Sequence, residues 1–306
     1  MNQHTSPPGI RLVARILTSL IALLAVVVVA AAPPSAAARA PGIPTLVGIR
    51  AAHHVGFDRL VFEFRGGLPA HRSARYVSQV RQDGSGAPLA LAGDAFLHVR
   101  FYDAVGHDDR GRGTFGPTRR AFALPGLVQV ATAGDFEAVL SFGVGVARRT
   151  PIKLFTLAEP DRVVIDIATP YRTVAARAYF LDSRRFAKGE EPAVRPVLRP
   201  VVAPATARGA LQRLFAGPTA GEYAAGLRLV TSKATGFAGL TIKDGIARVR
   251  LTGGCAAGGS TVSIASLIMP TLKQFPSVRW VKIYDPQGRT ASPTGRVDSL
   301  PACLEP

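Results

Sequence analysis

Several stretches of this chain hold residue types that could do chemistry. His107-Asp108-Asp109 sets a histidine beside two carboxylates, a donor set that suits a divalent metal. It lies in a Gly/Arg-rich loop, Asp103–Thr118. Consecutive side chains on such a loop point different ways, and no second ligand pair follows at a defined spacing. His53-His54 has the same weakness. Asp135 and Glu137 form a carboxylate pair of the kind glycosidases use, and at a strand start they would share one face. Glycosidases, however, hold two carboxyl groups across a cleft, whereas Gly134-Asp135 reads as a turn. Thr252–Gly259 is glycine-rich but lacks the phosphate-loop spacing and its Lys-Ser/Thr ending. No catalytic, metal-binding or cofactor-binding residue is assigned, and the chain is expected not to be an enzyme. Cys255 and Cys303 remain. A two-cysteine metal site is disfavoured because no histidine follows His107. In an oxidising compartment the pair predicts a disulfide, the alternative being two separate thiols.

The N-terminus predicts such a compartment. Arg11 and Arg15 precede the apolar run Ile16–Ala32, which Pro33-Pro34-Ser35 breaks. Ala36-Ala37-Ala38 then offers a small-residue cleavage site, so residues 1–38 read as a signal peptide or, uncleaved, an N-terminal anchor. Either places the rest in the cell envelope or outside the cell. The net charge of +17 is uneven. Residues 41–170 carry 15 basic and 12 acidic side chains, residues 171–306 carry 19 and 8. Such a field favours anionic partners, teichoic-type polymers or lipid headgroups. The export signal disfavours nucleic acid, so none is expected as a partner, and a membrane is expected only through the N-terminal segment if it is uncleaved.

Two domains must position these residues. Residues 42–170 read as short strands: Arg59–Phe64, Tyr76–Val80, Ala95–Phe101, Leu127–Ala131, Ala138–Val146, Ile152–Leu157 and Arg162–Ile167. Gly/Asp turns separate them, which predicts an antiparallel β-sandwich. Asp58-Arg59 and Asp161-Arg162 read as strand-start ion pairs, each worth little if exposed. Tyr171–Ala178 is a short connection that keeps the domains close. In residues 175–306, Ala178–Leu181 reads as a first strand and Ala193–Val202, with Pro196 and Pro200, as an edge strand. Ala207, Ala210, Leu211, Leu214 and Phe215 fall on one helical face, with Thr206 as expected N-cap and Gly217-Pro218 as stop. Thr219 and Glu222 have capping-box spacing for a second short helix. Asp244-Gly245 predicts a hairpin between Gly239–Ile242 and Ile246–Leu251. A helix over Thr261–Phe275, capped by Ser260 and bent at Pro270, then leads to the strand Val278–Tyr284. The order predicts an α/β domain with two helices on a small mixed sheet.

Some of these residues carry a resemblance. Gly56–Phe64, Asp83-Gly84-Ser85-Gly86, Gly134–Glu137, Phe142-Gly143-Val144-Gly145 and Asp161–Asp166 resemble the AMIN-like domain of actinobacterial envelope proteins. Leu214–Glu222 and Thr271–Tyr284 resemble the GerMN domain of sporulation and germination proteins. The first resemblance implies a β-sandwich used for placement at the envelope. The second implies an interaction or ring-building module. Together they imply an exported, non-catalytic protein whose partners are a cell-wall polymer or envelope proteins, with self-association as one mode. The rival expectations are a peptidoglycan hydrolase or its activator, and an extracytoplasmic partner of a signalling receptor.

Overall fold

The computed structural model describes residues 42–306, and the expected signal segment, 1–38, lies outside the described residues. The first domain contains β1 (Thr45–His54), β2 (Phe57–Arg65), β3 (His71–Val77), β4 (Ala95–Tyr102), β5 (Arg119–Ala121), β6 (Leu127–Phe136), β7 (Val139–Val146), β8 (Ile152–Leu157) and β9 (Arg162–Ala168). Two antiparallel sheets, ordered β1-β2-β9-β8 and β3-β4-β7-β6-β5, face each other. Strand alternation builds the core between them. Leu60, Phe62 and Phe64 of β2 point inward and meet Phe101 and Phe142 from the other sheet. This is the expected sandwich, with two strands, β1 and β5, that the turn pattern did not reveal. The strand expected over Tyr76–Val80 instead runs His71–Val77. Val80 has left it to join Leu89, Ala131 and Ala133 in a small cluster on the outside of the five-stranded sheet.

That outer covering explains the glycines of β7. Phe142 and Val144 face the main core, so Gly143 and Gly145 face the covering segment. A Cβ on Gly143 would stand 2.5 Å from Leu91, and one on Gly145 would stand 1.9 Å from the carbonyl oxygen of Ala92. The backbone approaches too closely for any side chain at Gly145.

The second domain contains β10 (Thr173–Asp182), α1 (Ser183–Ala187), β11 (Val194–Val202), α2 (Thr206–Ala216), α3 (Ala220–Ala224), β12 (Leu227–Arg228), β13 (Ala234–Lys243), β14 (Ile246–Gly253), α4 (Ile264–Lys273) and β15 (Trp280–Tyr284). Its strands divide between two three-stranded sheets, β11-β10-β12 and the mixed β13-β14-β15. One apolar cluster joins them through α2 and α4. The connection between domains is shorter than expected, because β10 already begins at Thr173. β11 is an edge strand, and its prolines withhold ladder donors there. The Asp244-Gly245 hairpin forms with both residues at positive φ. Thr219 and Glu222 form the expected capping box on α3.

Two helix starts differ from expectation. Ala205, not Thr206, occupies the α2 N-cap and makes no side-chain cap. The last helix starts at Ile264 rather than Thr261, with Ser263 as its cap. Ser260 instead bonds locally to Val262, holding the preceding residues in a turn. Pro270 lies inside α4. A disulfide joins Cys255 to Cys303. The C-terminal tail is held further by Asp298, whose carboxylate accepts the Val281 N–H at 2.9 Å, and by buried Leu304.

Two carboxylates tie local elements together. Burial pushes Glu222 up, but hydrogen bonds from Arg199 and the Thr219 N–H outweigh it and hold the carboxyl below its ordinary value. Asp182 is lowered chiefly by the Arg185 backbone N–H at the start of α1. Stability from groups depressed in this way is present above about pH 4 and is lost as pH falls through their folded values. The urea midpoint should therefore drop between pH 5 and the acid limit of folding, and Glu222→Gln should flatten part of that slope. Separately, Gly145→Ala should cost about 3 kcal/mol by overpacking. Gly221→Ala, with open space around it, should leave the urea midpoint unchanged or slightly raised.

Candidate functional site

The two domains meet along α2. Its apolar face, Ala207, Ala210, Leu211, Leu214 and Phe215, is buried in the second domain as its period requires. The opposite face would ordinarily be solvated, yet Gln212 and Arg213 are buried, Arg213 to 2% exposure. They are buried against the first domain.

Arg213 reaches the loop between β5 and β6. Its Nη1 donates to the carbonyls of Phe122 (2.9 Å) and Leu127 (3.0 Å), and its Nη2 to those of Leu124 (2.5 Å) and Pro125 (3.1 Å). A guanidinium suits this task because its planar fork presents five donors. The same loop is held from the other side by Asp58, which is fully buried and accepts the N–H groups of Gly126 (2.6 Å) and Leu127 (2.8 Å). His53 Nδ1 lies 2.7 Å from the other Asp58 oxygen. The ion pair expected between Asp58 and Arg59 is thus corrected. Asp58 points into the joint because strand alternation sends it opposite to Arg59, and Arg59 pairs with Asp166 at 2.7 Å. Nor does Asp161 pair with Arg162, which donates to the carbonyls of Pro160 and Ala158.

Burial pushes the Arg213 guanidinium down to about 10, with the Arg199 charge adding to the fall and Asp58 opposing it. It stays protonated at neutral pH. Burial and the Asp58 charge push the nearby Tyr171 hydroxyl up to about 12.

Around this centre the contact continues. Gln129 of β6 donates to the Ala216 carbonyl at 3.0 Å and accepts from the Ala92 N–H and from Arg119. Asp94 accepts from Arg208 Nε at 2.8 Å and from Gln212 Nε2 at 2.5 Å. Beside it opens a cleft of about 510 Å³, lined by Val80, Leu89, Asp94, Arg208, Phe215 and Phe237 among others. Arg208 lies 5.5 Å over the Phe237 ring. The lining mixes apolar and aromatic side chains with polar ones such as Ser78, Gln79, Thr235 and Thr252, and its one guanidinium and one carboxylate are already paired. Such a lining suits binding.

The residues flagged for chemistry are not brought together. Asp108 accepts the backbone N–H groups of Arg110 and Arg112 and the Arg112 side chain, so it shapes its own loop. His107 bonds the Asp108 carbonyl, and His54 stacks on Phe57. Asp135 lies near the end of β6 and accepts the Gly106 N–H at 3.0 Å. Glu137 sits at positive φ in the β6–β7 turn, so the two do not share a strand face. No group of three or more potential metal ligands occurs among the described residues. The residues that sequence reasoning missed are Asp58, Asp94, Gln129 and Arg213. Only one weak signal existed, the adjacent long polar side chains Gln212 and Arg213 next to the apolar stripe of the helix.

Residues 44–169 match the family described as AMIN-like domain, and residues 177–284 match the family described as sporulation and spore germination. The chain therefore carries an AMIN-like domain followed by a germination-type domain, the order the sequence predicts. That pairing fits an envelope-associated protein, and the disulfide is compatible with export. No curated protein matches the chain. No solved structure matches it either. No helix among the described residues is long and apolar enough to cross a membrane.

Replacing Arg213 by Met should leave the four loop carbonyls without their donor, at a cost of about 3 kcal/mol for acceptors left buried and unpaired. Arg213→Lys should recover only part, since one ammonium cannot serve four carbonyls in a plane. Urea unfolding of both variants checks this; a loss in Arg213→Met no larger than that of an exposed arginine would remove Arg213 from its role.

Proposed function

We propose that this protein is a non-catalytic, exported component of a bacterial cell envelope, of an actinobacterial type. In this reading the AMIN-like domain places the molecule at the wall, and the germination-type domain engages envelope proteins or further copies of itself. The observation that carries the reading is the joint at α2. It fixes the AMIN-like and germination-type domains in one orientation through Arg213, Gln212 and Gln129, rather than leaving them on a tether. A fixed orientation serves a protein that must present one surface while held by another. The cleft lining, with its Asp94–Arg208 pair beside the Phe215 and Phe237 rings, fits recognition of a partner.

The test uses residues 42–306 and purified sacculi stripped of phosphate polymers by acid. Co-sedimentation that survives high salt, with no clearing of the sacculi in a zymogram with or without zinc, is the expected result. Clearing would favour a peptidoglycan hydrolase, and absence of sedimentation would remove wall placement.

A further inference from the structure

The mixed sheet of the second domain presents a row of cations to solvent. Ala247, Val249 and Leu251 of β14 face the core, so Arg248 and Arg250 face outward. Register extends this face. Ile246 stands opposite Lys243 and Trp280, Arg248 opposite Thr241 and Lys282, Arg250 opposite Ala238 and Tyr284. Directly opposed residues share a face. The outer face therefore carries Lys243, Arg248, Arg250, Trp280 and Tyr284, with Lys282 between the last two buried and bonded to the Ser292 and Thr294 carbonyls, and no carboxylate from any of its three strands.

These cations differ from several others of the second domain. Lys282 is fully buried and spent, donating to the carbonyls of Ser292 and Thr294. Arg199, Arg208 and Arg289 are paired with Glu222, Asp94 and Asp285. Arg248, Arg250 and Lys243 join no ion pair among the described residues, and neither do Arg279 and Arg296. The latter two line a cavity of about 510 Å³ with Trp280 and Asp244, at the hairpin end of the same sheet. Alternate residues on a strand lie about 7 Å apart, so Arg248 and Arg250 form a line rather than a cluster.

We propose that this face binds a linear polyol-phosphate polymer of the envelope, a phosphodiester chain without bases. Arg248 and Arg250 take successive phosphates, each guanidinium offering the two parallel donors that a phosphate accepts. Trp280 and Tyr284 flank the row and pack against the uncharged polyol links. The aligned cations fit a chain better than a lipid plane, which favours protruding apolar side chains that the row lacks. The choice of a polymer without bases rests on the envelope reading; the surface itself does not.

Trp280 is the chain's one tryptophan, so its emission reports on this face alone. Residues 42–306, which belong to one compact unit, are titrated with poly(glycerol phosphate). The expected result is saturable change in emission, with affinity falling about tenfold between about 50 and 200 mM salt. Arg248→Gln with Arg250→Gln should weaken binding at least about tenfold with the unfolding midpoint unchanged; Arg110→Gln should change nothing. No saturable response by emission or calorimetry would overturn the proposal. So would equal binding of polyglutamate, which shares only the charge. Tighter binding of a single-stranded oligonucleotide, or of phosphatidylglycerol vesicles, would overturn it in favour of those partners. The test on stripped sacculi is independent of all these outcomes.

Discussion

The arrangement of the two domains depends on a buried positive charge. Arg213 is the largest side chain among those almost wholly removed from water. Burying a guanidinium is costly unless every donor direction is answered. Four backbone carbonyls of one loop answer it, and that loop is in turn fastened through its own N–H groups to Asp58. Charge, loop and counter-charge form one column, in which the loop backbone turns carbonyls to the cation and N–H groups to the anion. Removing any member leaves another exposed to a low dielectric, which is why neither domain's part of the joint is a free-standing feature. The joint is made of groups that discriminate by direction, so it fixes an angle and not only a distance.

That column also organises the remaining charges. The first domain is nearly neutral, and several of its arginines are spent in local work: Arg59 on Asp166, Arg112 on Asp108, Arg119 on Gln129 and the Ala90 carbonyl. The second domain holds most of the surplus. There Arg199 and Arg208 are paired with carboxylates, while Lys243, Arg248 and Arg250 on the β13-β14-β15 sheet are not. A basic composition is thereby sorted into structural cations and available ones.

How much of this was legible follows from distance along the chain. The capping box at Thr219 and Glu222, the hairpin at Asp244-Gly245 and the apolar face of α2 are decided by residues within a few positions of each other, and all three stand as read. The alternation in β2 likewise placed Leu60, Phe62 and Phe64 in the core. What failed was non-local or degenerate. Asp58 looks like any strand-start carboxylate until the loop some 68 residues later folds onto it. Arg213 looks like a solvated helix residue until its partners arrive from 86 to 91 residues upstream. Thr206 and Ser260 were each one acceptable cap among neighbours, and the backbone chose Ala205 and Ser263. The pair Asp135 and Glu137 separated because a tight turn, not a continuing strand, falls between β6 and β7.

The disulfide between Cys255 and Cys303, 48 positions apart, has a topological consequence. It closes a covalent ring that contains α4, β15 and the tail strand segment beside it. A single cut by a protease anywhere inside that ring opens a loop without releasing a fragment. The severed ends remain attached to the same molecule, and the helix stays anchored from the opposite side. For a chain with envelope-type domains, the irregular segment after β15 can be nicked and the domain still keep all of its parts.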